Sequence, residues 1–109
     1  MPLPEISVAE ARDRLAGPLP PRLIDVREPG EFAFARIAGA ELLPLSQWPA
    51  LALEKLTDPA QPLLLLCHHG LRSGQATAFL VQSGFADATN IAGGIAAWSE
   101  EIDPSVPRY

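Results

Sequence analysis

Cysteine is almost absent from this sequence, in which Cys67 stands alone. One cysteine cannot form an internal disulfide, and a free thiol favours a reducing compartment, so we expect a cytoplasmic protein. Long hydrophobic runs are also missing. Because no stretch of about 18 apolar residues occurs, we expect neither a membrane-spanning helix nor a membrane partner. Residues 1–5 carry no basic region and no apolar core, so no secretory signal is expected.

Positive charge is scarce too, with 8 lysines and arginines against 13 aspartates and glutamates and a formal net charge of −5. This balance argues against a nucleic-acid partner. What the sequence has in quantity is apolar residues, at 48%, which indicates a folded globular chain. Its length of 109 residues fits a single domain covering residues 1–109.

Negative charge is missing from one particular segment. No carboxylate occurs between Asp58 and Asp87, whereas His68, His69 and Arg72 all lie in that interval. In an acidic protein, such a segment is a candidate site for an anion.

An apolar run leads directly into the cysteine. Residues 63–66 are all leucine, which is typical of a short buried strand in a parallel sheet. After the cysteine the spacing becomes helical, with Ala76 and Leu80 on one face and Gly84 as the stop. The pattern therefore places Cys67 between a strand and a helix. Helix N–H groups and the positive end of the helix dipole favour a thiolate there.

The rest of the chain alternates the same two patterns, which predicts an α/β domain with a mainly parallel sheet. In such sheets ligands bind beyond the carboxyl ends of the strands, where Cys67 is predicted to lie. The further predicted elements are a helix with a Ser7–Glu10 capping box, a strand at 22–26, a short helix at 31–34, a turn and brief strand at 37–44, a helix capped by Ser46, a strand at 88–91, a helix opened by Gly93 and Gly94, and a surface-extended tail at 103–109.

Two ordinary explanations of the cysteine segment are less favoured. Free cysteines are often inert buried residues, but Cys67 follows the leucine run, where a reactive thiol is better placed than an inert one. Adjacent His68 and His69 rarely face one ion, and no second cluster supplies further ligands, so no metal is expected. Gly70 is predicted to adopt a positive φ that lets successive N–H groups converge. Arg72 is unfavourable at a helix N-terminus, which suggests that it grips an oxyanion.

Other polar and aromatic residues carry less specific signals. Asp25 and Arg27 follow a predicted strand and could lie beside the site, but a structural role is favoured, with Asp25 as a cap and an ion pair between Arg27 and Glu28 or Glu31. Gly93 and Gly94 could bring backbone close to the loop or simply form a turn. Phe79 and Trp98 are predicted to be core residues.

The segment from Cys67 to Ser73 resembles the active-site loop of rhodanese-like sulfurtransferases, which often reads Cys-x-x-Gly-x-Arg-Ser/Thr. Three more stretches resemble the same family in the same order, at residues 25–32, 37–40 and 90–98. One departure is Ala35-Arg36, where the family commonly has Gly-His. The resemblance covers nearly the whole chain.

This resemblance implies a five-stranded parallel sheet with helices on both faces and one catalytic cysteine. Cys67 would accept a sulfane sulfur from thiosulfate or a persulfide and pass it to cyanide, a small thiol or a thioredoxin-like protein. No cofactor is implied. Arg72 would hold the sulfonate of the donor, since a planar fork of N–H donors suits an oxyanion. The predicted substrate-binding residues are those of the loop: His68, His69, Gly70, Leu71, Arg72 and Ser73.

Two rival functions follow from the same residues. Cysteine-dependent phosphatases and arsenate reductases use a Cys-x5-Arg loop, whereas four residues separate Cys67 from Arg72 here. A smaller ring of N–H groups fits a single sulfur better than a tetrahedral oxyanion. Rhodanese-like domains also serve as non-catalytic binding modules, but those usually lack the cysteine. Retention of Cys67 with Gly70 and Arg72 favours an enzyme.

Overall fold

Strands and helices alternate along the chain in the computed structural model, which describes residues 2–109. The strands are β1 (Glu5–Ile6), β2 (Arg22–Asp25), β3 (Glu41–Leu42), β4 (Leu63–Leu66) and β5 (Ala88–Ile91). The helices are α1 (Val8–Leu15), α2 (Pro29–Phe34), α3 (Ala50–Lys55), α4 (Leu71–Gln82) and α5 (Gly94–Glu101), with a single 3₁₀ turn at Leu45–Gln47.

The strands form one five-stranded sheet in the order β1-β5-β4-β2-β3, and every neighbouring pair is parallel. The predicted α/β fold with a parallel sheet is therefore confirmed. β4 lies at the centre because its four leucines are buried on both faces, as a strand covered by helices on each side requires.

The leucines of β4 divide the core into two layers. Leu63 and Leu65 face a cluster built with α3 and α4, which contribute residues such as Ala52 and Leu80. Leu64 and Leu66 face the opposite cluster, in which α1 and α5 contribute Val8, Ala11, Ile95 and Trp98. This alternation follows from the two-residue period of a strand, and it fixes which helices cover which face.

The first strand was not predicted from the sequence. β1 has only two residues, and it pairs with β5 through Glu5 opposite Asn90 and Ile6 opposite Ile91. Two residues after Pro4 show no periodicity that a sequence pattern could detect. The pairing matters because it brings Glu5 next to Asn90.

Two predicted details are wrong. Ser46 lies in the 3₁₀ turn and donates its hydroxyl to Glu28 Oε1 at 2.8 Å, whereas α3 begins after Pro49. Proline suits this position because it has no N–H to satisfy and its φ is already near helical values. The tail does not simply extend over the surface, since Val106 is buried and Tyr109 packs against the cysteine loop.

Across residues 2–109, no helix combines the length and apolar character that crossing a bilayer demands.

Candidate active site

The strand register brings the carboxyl ends of three strands to one edge of the sheet. Asp25 of β2 lies opposite Leu66 of β4, and Leu65 lies opposite Asn90 of β5. The residues that follow these strands therefore meet above the same edge. Cys67 directly follows β4, at the position where open parallel sheets bind ligands.

Cys67 is buried, with 1% of its surface exposed, yet its sulfur has polar neighbours. The N–H of Gly70 donates to Sγ at 3.0 Å, and Ser73 Oγ lies 3.3 Å from Sγ. An inert core cysteine needs no such contacts. A sulfur that accepts a backbone N–H at the entrance of a helix is in surroundings that favour negative charge on it.

Gly70 adopts the backbone conformation that was predicted for it, with a φ of +103°. It is the N-cap of α4, so the turn that directs its N–H at Cys67 also starts the helix. A Cβ at this position would lie 3.3 Å from the backbone nitrogen of Gly93, in addition to the strain of positive φ.

The N-terminus of α5 holds the other side of the loop. Ile95 N–H donates to the carbonyl of Cys67 at 2.9 Å, and Ala96 N–H donates to that of His68 at 3.1 Å. Gly94 makes this approach possible, because a Cβ there would overlap both of those carbonyl oxygens. Of the two alternatives for the paired glycines, the structure shows the close backbone approach.

Asn90 joins the loop to the sheet from below. Its Nδ2 donates to Glu5 Oε2 at 2.8 Å and to the carbonyl of Gly70 at 3.1 Å, while its Oδ1 accepts from Ser73 Oγ at 2.5 Å. The hydroxyl of Ser73 has one proton. Ser73 can therefore donate to the sulfur of Cys67 only when it releases Asn90.

Arg72 forms a bidentate pair with Glu31 of α2. Its two terminal nitrogens donate to the two carboxylate oxygens at 2.6 and 2.9 Å. Hydrogen bonds from Arg72 lower the pKa of Glu31 to about 2, despite an opposing effect of partial burial. The pair therefore adds stability above the ordinary pKa of a glutamate, and this contribution is lost as the pH falls through about 2. The pKa of Arg72 is raised, mainly by Glu31 and also by the nearby Cys67.

Tyr109 covers the loop from the end of the tail. Its ring stacks on that of His68, with ring centroids 3.9 Å apart and an interplanar angle of 8°. The ring centroids of His68 and His69 are also 3.9 Å apart. The Tyr109 hydroxyl donates to Glu31 Oε2 at 2.8 Å and accepts from Arg27 at 2.9 Å. Burial raises the pKa of Tyr109.

His68 does not add the positive charge that its sequence position suggested. Burial, and then the neighbouring His69, lower the pKa of His68 below its ordinary value, so its ring is neutral at neutral pH. No carboxylate occurs between Asp58 and Asp87 in the sequence, but the fold places the carboxylate of Glu31 against Arg72.

Asp25 and Arg27 form a completely buried ion pair. Arg27 donates through Nε and one terminal nitrogen to both oxygens of Asp25, at 2.7 to 3.1 Å. The predicted cap is wrong: Asp25 accepts the backbone N–H of Arg27 in a turn after β2, and the N-cap of α2 is Glu28. The predicted partner for Arg27 was wrong: Glu31 offers it only a backbone carbonyl, because its carboxylate is committed to Arg72 and Tyr109.

The loop residues differ in what they can contact. Ser73 is buried against the sulfur, His68 and Arg72 are half-buried, and Leu71 is 81% exposed to solvent. His69 is exposed, and its ring lies against that of His68 at an interplanar angle of 31°. Within residues 2–109 no group of three histidine, cysteine or carboxylate side chains is arranged to hold a metal ion.

The sequence pattern of the family described as "Rhodanese-like domain" matches residues 7–101, a span that includes β2 to β5, the cysteine loop and all five helices. The chain belongs to the rhodanese-like family. The resemblance found in the sequence is thereby confirmed.

The chain is similar in sequence to relatives of different lengths. A protein named sulfurtransferase from Allochromatium vinosum is 35% identical, with 94% of each chain covered. The Rhodanese-like/PpiC domain-containing protein 12, chloroplastic, of Arabidopsis thaliana is 38% identical over 99% of this chain, which spans only 38% of that protein. The human single-domain sulfurtransferase TSTD1 superposes with a TM-score of 0.76 and 31% identity, covering 92% of this chain and 98% of the human one.

Three residues around this rhodanese-like loop were missed as site residues. Glu31 and Asn90 lie inside stretches that resemble the family, but their spacing predicted only a helix and a strand. Tyr109 carries no signal in the sequence at all. Each reaches the loop from an element that is distant along the chain, so only the fold reveals the contact.

Proposed function

We propose that this chain is a sulfurtransferase in which Cys67 carries a sulfane sulfur between two substrates. The observation that carries the proposal is the environment of the sulfur: Sγ lies beyond β4 and accepts the N–H of Gly70 at the entrance of α4. Its donor would be thiosulfate or a persulfide, and its acceptor cyanide, a small thiol or a thioredoxin-like protein. The unpaired thiol suits a reducing compartment such as the cytoplasm.

The proposed reaction has two halves. The Cys67 thiolate attacks the outer sulfur of thiosulfate, an S–S bond forms on the enzyme, and sulfite departs with the electron pair of the old S–S bond. The product is an anionic persulfide, which the Gly70 N–H and the α4 dipole stabilise. Cyanide or a thiolate then attacks the outer sulfur, and Cys67 leaves as a thiolate, ready for the next turnover.

Intact-protein mass spectrometry tests this proposal. Incubation with excess sulfane-sulfur donor should add the mass of one sulfur, and cyanide should remove it and release thiocyanate. The Cys67→Ser variant, which differs in one atom, should show no adduct with any donor. An adduct that persists in Cys67→Ser, or a wild-type protein that no donor loads, would contradict the proposal.

A phosphatase is the nearest alternative, and the short loop predicts that it is not the function. Four residues between Cys67 and Arg72 form a tighter ring than a phosphate needs, and the Arg72 side chain is already bound to Glu31. Hydrolysis of an aryl phosphate should therefore be negligible beside sulfur transfer. Cys67-dependent phosphatase turnover comparable to sulfur transfer would show that the sulfurtransferase assignment is wrong.

A further inference from the structure

The charges around Cys67 are balanced before any donor arrives. Arg72 is the cation of the loop, and both of its terminal nitrogens are taken by the oxygens of Glu31. Arg27 is likewise neutralised by Asp25, and the lowered pKa of His68 leaves that ring neutral. The exposed His69 is the remaining titratable side chain of the loop. A Cys67 thiolate therefore gives the immediate site an excess of negative charge.

Glu31 is fixed in place by more than Arg72. Its Oε1 accepts the N–H of Glu28, which closes a capping box at the start of α2, and its Oε2 accepts the hydroxyl of Tyr109. Tyr109 is held in turn by Arg27 and by stacking on His68. A sulfonate that binds the same two terminal nitrogens of Arg72 in parallel must displace a carboxylate held by four hydrogen bonds.

From this geometry we propose that Glu31 is a specificity-determining residue that selects the sulfur donor. Glu31 disfavours dianionic, oxyanion-bearing donors such as thiosulfate and leaves the site suited to singly charged thiol persulfides. The inference rests on the proposed sulfur transfer and names its donor class. In that transfer the Cys67 thiolate attacks the outer sulfur of R–S–S⁻. The Cys67 persulfide anion forms, and R–S⁻ leaves with the electron pair of the broken bond.

The physical basis is that electrostatic repulsion grows with donor charge. A fixed carboxylate repels a dianion about twice as strongly as a monoanion at the same distance. It also withholds the two parallel N–H donors that a sulfonate would use, and a thiol persulfide has no such group to place there. Glu31 thus sets the donor preference by disfavouring the unwanted donor.

The test is to measure second-order rates of sulfur loading on Cys67, by quenched-flow mass spectrometry, with two donors. These are thiosulfate and the persulfide of 2-mercaptoethanol, which carries one charge and no oxyanion. Glu31→Gln keeps the size and the capping hydrogen bonds but removes the charge. We expect the thiosulfate-to-persulfide rate ratio to rise by about 10- to 100-fold, as expected for one charge-assisted contact. Tyr109→Phe, which removes the hydrogen bond from the Tyr109 hydroxyl to Glu31, should raise the thiosulfate-to-persulfide rate ratio by a smaller factor.

Glu28→Gln is the matched control, because it removes the same charge from the same helix without touching Arg72. Its donor ratio should stay within about twofold of the wild-type ratio, since the Glu28 carboxylate bonds Ser46, whereas the ion pair of Arg72 is with Glu31. Simple damage to the loop would slow both donors, so it cannot produce the predicted rise.

Other results overturn the inference. Glu31→Gln with an unchanged or lower ratio would mean that Glu31 only holds the loop in shape. A wild-type protein that takes sulfur faster from thiosulfate than from the persulfide would also contradict it. Failure of sulfur transfer itself gives a different result, namely no adduct on Cys67 from either donor in any variant.

Discussion

Asp25→Ala should lower the free energy of unfolding by about 3–5 kcal/mol, which is a large share of the roughly 5–15 kcal/mol that stabilises a domain of this size. Asp25 and Arg27 are both completely buried, and Asp25 is the only carboxylate that Arg27 contacts among the described residues. Removing it leaves a guanidinium charge without its counter-ion in the interior. Urea unfolding should show a lower midpoint with a similar m-value.

Glu41→Ala is the control for this variant. Glu41 also forms a bidentate pair with an arginine, Arg22, at 2.7 and 2.9 Å, but its side chain is 43% exposed. Water can solvate Arg22 after the change, so the expected loss is only about 0–1 kcal/mol. Similar losses in the two variants would show that burial does not determine the importance of the Asp25–Arg27 pair.

Gly94→Ala should damage both stability and sulfur transfer. Gly94 has a φ of +59°, and placing a Cβ in left-handed backbone costs about 1–2 kcal/mol. The new Cβ would also overlap the carbonyl oxygens of Cys67 and His68, and relieving such overlap costs about 1–3 kcal/mol more. To relieve it, α5 must move away from the loop that positions Cys67. We expect sulfur loading to slow at least tenfold, because small displacements of reacting groups are costly.

Gly84→Ala separates these two effects. Gly84 also has positive φ, at +96°, but a Cβ there meets nothing within 4 Å. Its cost should be the backbone strain alone, and sulfur loading should be unchanged because Gly84 follows the far end of α4. Urea unfolding and mass spectrometry on both variants measure the difference. If the two glycine variants lose equal stability and keep equal activity, the close approach of α5 does not support the loop.

The loop that contains Cys67 lies in one continuous segment of the chain, so its position could be predicted from the sequence. A strand of four leucines, a cysteine at its exit, a glycine at the turn and a helical pattern afterwards are all local features. Local features decide local backbone, so the predicted positions of β4, Cys67, Gly70 and α4 agree with the structure. The parallel sheet follows as well, because short connections between alternating strands and helices allow few other arrangements.

β1, the start of α3 and the tail have weak or misleading local sequence patterns, so they were not predicted correctly. β1 is too short to show a period, and Ser46 looked like a helix cap although Pro49 precedes the helix. The tail appeared featureless because its prolines exclude regular structure. Nothing in its composition shows that Val106 is buried or that Tyr109 stacks on His68.

The sequence by itself determined the fold class, the family and the position of Cys67 between β4 and α4, because each depends on patterns that are contiguous in the chain. Only the tertiary structure decided the electrostatics of the site. Charge acts through space, and the carboxylate nearest to Arg72 comes from Glu31, on a helix that precedes it by many residues. Glu31 and Asn90 reach the loop because parallel strands place their carboxyl ends at one edge of the sheet. Tyr109 reaches the same edge from the tail that follows α5.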